Sequence, residues 1–180
     1  MRYARTLVLC FGAVLSTGCP TGKITIPAAD ATPPEITLLV TQERGNSSST
    51  VLSINGSSPQ PAPIPAQRAD AYIFSATGKD PEGTKETQIW VSYTFWRTNP
   101  DGTGTQIGPG LLTTPAARSV DNSQPGGTGY VERPVLHTVE IAEELQKQPG
   151  ASSMRMETWA VALNYHGAQV QTPKVTVNWP

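Results

Sequence analysis

Two histidines, His137 and His166, and two cysteines, Cys10 and Cys19, are the chain's whole stock of imidazole and thiol groups. His137 falls in an apolar, strand-like stretch and His166 at a turn. A two-histidine metal site would need carboxylates brought to them by folding. No GxSxG elbow supplies an activated serine. Asp80-Pro81-Glu82-Gly83 offers carboxylate oxygens of the kind calcium takes, with Asp101 or Asp121 needed to complete a set. The same four residues specify a plain turn, because Pro fixes φ, Asp accepts local backbone bonds and Gly tolerates positive φ. The turn is the preferred reading. Gly102-Thr103-Gly104 resembles half of a phosphate loop, but neither Lys-Ser/Thr nor a helix follows it. Tyr93, Trp96 and Tyr130 could form a platform on which sugar rings stack, or could fill the core; filling the core is preferred. The expectation is therefore no catalytic residue, no metal and no cofactor.

The elements that would position these groups must come from an ordinary globular composition with unusual punctuation. Hydrophobic residues are 37% of the 180 positions, too many for a wholly disordered chain. Charged residues are 15%, too few for a coiled coil. The 16 glycines and 17 prolines demand many turns. A formal net charge of −1 lacks the basic footprint of a nucleic-acid binder.

The amino terminus reads as an export signal. Arg2 and Arg5 precede an uncharged apolar run from Thr6 to Leu15, and Ser16-Thr17-Gly18 leads into Cys19. The run is half the length of about 20 residues that a membrane-spanning helix needs, and suits the middle of a signal peptide. Leu15-Ser16-Thr17-Gly18-Cys19 resembles the lipobox of bacterial lipoproteins. Gly18 and Thr17 fit, while Ser16 stands where that family most often has Leu. The resemblance implies cleavage after residue 18, acylation of Cys19 and attachment to a membrane by lipid. Pro20 after Cys19, in place of Asp, implies the outer membrane by the enteric sorting rule. An ordinary secretory cut near Gly18 is the alternative. Cys10 would leave with the signal, so Cys19 would be the one thiol of the exported chain, where an unmodified thiol is a liability. A single acyl chain anchors marginally, and the several chains of a lipoprotein exceed what stable anchoring needs.

Residues 19–35, with Pro20, Pro27, Pro33 and Pro34, read as a tether able to span up to about 50 Å when extended. Pairing of Lys23 to Ile26 as an edge strand is the alternative. From residue 36 to 180 the pattern is that of strands: Ile36–Thr41, Val51–Ile54, Ala69–Ala76, Gln88–Arg97, Val135–Ile141, Met154–Tyr165 and Gln169–Trp179. In Gln88–Arg97, Ile89, Val91, Tyr93 and Phe95 face one way, and Trp90, Ser92, Thr94 and Trp96 the other, as suits a central strand. Trp159, Val161, Leu163 and Tyr165 share one face, with Ala160 and Ala162 opposite. Pro173 implies an edge or a bulge. Gln42–Thr50 and Asn99–Pro134 read as loops, the second with room for a short strand near Ile107–Thr113. Glu143–Gln148 is the one candidate helix.

About seven short strands with turns between them imply an all-β, antiparallel sandwich. Ser75–Gly83 followed by Ile89-Trp90-Val91, and the closing hairpin around Tyr165–Ala168, resemble bacterial immunoglobulin-like and fibronectin type III-like domains. The resemblance puts Trp90 in the place of the core tryptophan, although the paired cysteines of antibody domains are absent. A jelly roll is the alternative sandwich. The functional expectation is a non-catalytic module of the bacterial cell envelope, structural or binding an unidentified envelope protein. The alternative is a carbohydrate-binding module; an enzyme ranks third.

Overall fold

The computed structural model describes residues 32–81, 83–120, 135–137 and 148–180. The signal at 1–18, Cys19, most of the tether, Glu82, Tyr130 and the candidate helix lie outside the described residues, apart from Gln148 in a bend. The described chain is all β, in ten strands. They are β1 (Glu35–Arg44), β2 (Ser47–Asn55), β3 (Ile64–Pro65), β4 (Ala71–Lys79), β5 (Thr84–Thr98), β6 (Gly104–Val120), β7 (Val135–His137), β8 (Ser153–Asn164), β9 (Gln169–Gln171) and β10 (Val175–Trp179). One sheet has the order β2-β1-β4-β7; the larger runs β3-β10-β8-β5-β6, with β9 also on β8. All pairings are antiparallel except the short β3–β10 contact.

The two sheets close on a shared core because period-two alternation puts one set of apolar side chains on each inner face. Leu38 and Val40 of β1 and Tyr72, Phe74 and Ala76 of β4 meet Ile89, Val91 and Phe95 of β5 and Met154 and Met156 of β8. Trp179 closes one end, its ring edge-on to Tyr72 at 5.6 Å and 87°. At the other end the sheets approach too closely for a side chain on β4. A β-carbon on Gly78 would stand 2.4 Å from Thr87 Oγ1 and 2.8 Å from Thr84 Cγ2.

Several expectations from sequence are corrected. Ten strands form where about seven were expected. The Gln42–Thr50 stretch is a hairpin, with both strands running to a two-residue turn at Gly45-Asn46, where Gly45 has φ +58°. Polar Ser47–Thr50 can be strand because β2 lies at the sheet edge with exposed side chains. The first part of the expected 99–134 loop is β6, a 17-residue strand laddered to β5 through two register shifts. Its glycines and prolines hide the alternation, while backbone pairing to a long neighbour supplies the order. Pro173 does interrupt the last strand. β9 and β10 both pair with β8, and between them Thr172 Oγ1 accepts the Ala160 N–H at 3.0 Å where the ladder is broken.

Candidate binding face

The residues singled out in the sequence do not converge. Tyr93 lies on the inner side of β5, against the core, and Trp96 on its outer side, so the two cannot share a platform. Trp96 is not a core ring as expected. Trp90 is not one either: it is half-buried on the outer face, and the interior beside β5 is filled by Ile89, Val91 and Phe95. His137 is in β7 of the four-stranded sheet, whereas His166 follows β8 of the other, so fold topology separates them. Asp80 is in a turn: its carbonyl accepts from Gly83 N–H at 3.1 Å, and Gly83 has φ +102°. Asp80 Oδ2 lies 3.5 Å from the donating amide of Asn164. Among the described residues no group of three or more His, Cys, Asp or Glu is placed to hold a metal ion.

What the fold brings together is the outer face of the β5–β8 ladder. Register pairs Trp90 directly with Trp159. Their indoles lie 6.0 Å apart, centroid to centroid, at 12°. The two rings are stacked and nearly parallel, and both are half-buried on this face. Lys174 Nζ stands 4.9 Å from the centroid of Trp159. Trp90 Nε1 donates to Gln88 Oε1 at 2.7 Å, and Gln88 Nε2 donates to Glu86 Oε1 at 2.6 Å. Glu86, itself buried, is ion-paired to Arg118. This chain fixes the indole orientation from the sheet outward. Beside the pair lies a groove of about 240 Å³, lined by Gln88, Trp90, Trp159, Val161, Gln169 and Gln171.

Further along the same face, Glu157 accepts Arg155 at 2.8 Å and Lys174 at 3.0 Å. The Lys174 hydrogen bond holds its carboxyl below the usual carboxylate range against the opposing effect of burial, and the charges of Lys174 and Arg155 add smaller contributions in the same direction as the hydrogen bond. Beyond it Trp96 stands between two grooves. One of about 200 Å³ is lined by Ser92, Thr94, Trp96, Gln106, Arg155 and Glu157; the other, of about 450 Å³, reaches Met154, Asn178 and Trp179. Trp96 Nε1 donates to Thr94 Oγ1 at 3.1 Å. The β5 alternation already placed Trp90 and Trp96 on one face. The β8 alternation did the same for Trp159. Their partnership was missed because the register of β5 on β8 is set by tertiary packing and has no local signature. No protein-family model matches this chain, and no curated protein matches it.

Proposed function

We propose that the chain is an exported, lipid-anchored protein of the bacterial cell envelope, held at the outer membrane. It carries a non-catalytic immunoglobulin-like sandwich that serves as a structural or protein-interaction module. The observation that carries this reading is the amino-terminal charge, apolar run and small-residue sequence ending at Cys19. The strand orders β1-β4-β7 and β5-β8-β10 support the immunoglobulin-like part, since that architecture places its A, B and E strands on one sheet and its C, F and G strands on the other. The test is mass spectrometry of the mature amino terminus with detergent phase partitioning. An acylated Cys19 and recovery in the detergent phase are expected, with Cys19→Ala recovered in the aqueous phase. A native chain that begins with an unmodified residue and washes off membranes in plain buffer overturns the reading.

A second reading, carbohydrate binding, is favoured by the stacked Trp90–Trp159 pair with glutamine amides beside it. Indole faces and side-chain amides are the groups that recognise neutral hydroxylated rings, and loops or faces of a rigid sandwich are where such groups are presented.

A further inference from the structure

We propose that the outer face of the β5–β8 ladder is a track for a linear, uncharged oligosaccharide, gripped at the Trp90–Trp159 pair and again at Trp96. The proposal deepens the carbohydrate-binding reading and is independent of the lipid anchor. Three features of the face select this occupant. Trp90 and Trp96 lie on the same side of one strand, six residues apart, a separation of roughly 20 Å along the strand. That distance exceeds a single sugar and suits a short chain of them. Between the two grips the floor is polar, with the hydroxyls of Ser92 and Thr94 and the Arg155–Glu157 pair.

The charge pattern argues against an ionic ligand. The groove at the Trp pair has no ionisable residue in its lining. Along the track Glu157 already engages Arg155 and Lys174. The unengaged polar groups are amides instead. Gln169 and Gln171 are both exposed on β9, on the same side of that strand, and their side-chain amides have no hydrogen bond among the described residues, the backbone alone being laddered to β8. Each can donate and accept at once, as vicinal sugar hydroxyls require. An apolar protein partner fits less well. Among the described residues the one large hydrophobic side chain counted as exposed is Val51, on β2 of the other sheet.

The experiment uses the full chain, both native and as the soluble Cys19→Ala form. Cellohexaose, xylohexaose, chitohexaose and maltohexaose are titrated against tryptophan fluorescence and by calorimetry, with polygalacturonate as the charged control. At least one neutral hexasaccharide is expected to shift the emission and bind, more tightly than its disaccharide. Trp96→Ala and the double variant Gln169→Ala/Gln171→Ala are each expected to weaken binding, by roughly tenfold or more for the tryptophan. The glutamine variant lies on exposed positions, so it tests the track even if loss of an indole harms folding. The proposal is overturned if no neutral glycan binds, if polygalacturonate binds in preference, or if affinity survives both variants. It is equally overturned if Trp90→Ala and Trp96→Ala lower thermal stability while glycan affinity stays unchanged, which would make the rings sheet-packing groups only. None of these outcomes bears on whether Cys19 is acylated.

Discussion

The side-chain amide of Asn164 donates to the backbone carbonyl of Thr32 at 3.1 Å, which fixes where the chain enters the sandwich. Asn164 is the last residue of β8, and Ser153, at the other end of that strand, pairs with Trp96. The entry point and the Trp96 end of the track are therefore separated by the whole length of β8, roughly 36 Å. If Thr32 is the end of a tether, the Trp96 end of the face points away from the membrane and the Asn164 end toward it.

Asn164 does more than hold Thr32. Its Oδ1 accepts the N–H groups of His166 at 3.0 Å and Ala168 at 2.9 Å, and the residue is buried. Asn164→Ala would strand two hairpin N–H groups and remove the bond to the Thr32 carbonyl. A loss of about 1–3 kcal/mol is expected, read as a lower midpoint in urea denaturation. Asn164→Asp would keep the two acceptor bonds but set a second buried carboxylate against Asp80 and an acceptor against the Thr32 carbonyl, so at neutral pH it should destabilise no less than Ala.

Asp70 gives the fold a defined acid sensitivity. The Arg44 guanidinium, bonded to it at 2.8 and 3.0 Å, holds its carboxyl down to about 2, and the Gln67 N–H and Gln42 amide assist against the cost of burial. A carboxyl depressed in the folded state stabilises above its unfolded value and loses that contribution as pH falls through the folded one. About 2 kcal/mol should therefore disappear between roughly pH 5 and pH 2. Glu157, also depressed, acts in the same direction. Denaturation of wild type and Asp70→Asn at several pH values checks this: the gap between them should be constant above pH 5 and close toward pH 2. A gap that does not depend on pH would show that Asp70 is not the titrating group.

Gly78 is required by sheet spacing and not by backbone conformation. Any β-carbon there meets Thr87 and Thr84 in a core with no slack. Gly78→Ala should cost about 1–3 kcal/mol, and adding it to Thr87→Ala, which removes the oxygen the new β-carbon would meet at 2.4 Å, should cost less than adding it to the wild type. Thermal unfolding of the three variants measures the coupling.

Local patterning made much of the fold legible. The inner and outer faces of β5 follow from its alternation, and the turn at Asp80–Gly83 follows from its residue types. Size was a misleading guide to which face is inside. Trp159 and Val161 look like core and face outward, whereas Ala160 and Ala162 are buried, because two sheets this close leave room for small groups near Gly78. Trp90 was misassigned because the resemblance to immunoglobulin-like domains placed it in the core, whereas in this sheet it is half-buried on the outer face. β6 was hidden since its order comes from pairing with β5 and its own residues have weak strand preference. The candidate face depends on the β5–β8 register, which no residue type encodes.

Two buried threonines, Thr158 on β8 and Thr172 in the break between β9 and β10, should respond oppositely to the same substitution. Thr172 Oγ1 accepts the Ala160 N–H at 3.0 Å, standing in for a missing ladder carbonyl beside Pro173. Thr158 is equally buried, but its Oγ1 has no hydrogen-bond partner among the described residues. Thr→Val changes a hydroxyl to a methyl at nearly constant shape, so it isolates the hydrogen-bond contribution. At Thr172 it orphans a buried N–H and should destabilise by about 1–3 kcal/mol. At Thr158 it removes a buried hydroxyl that gains nothing from the described protein, and should be neutral or stabilising by up to about 1 kcal/mol. Thr172→Ser keeps the acceptor and should lose less than Thr172→Val. Denaturant midpoints of the three variants decide the matter. Destabilisation by Thr158→Val as large as that by Thr172→Val would mean that the Thr158 hydroxyl has a partner after all, and that the core beneath β8 is wetter than its packing implies.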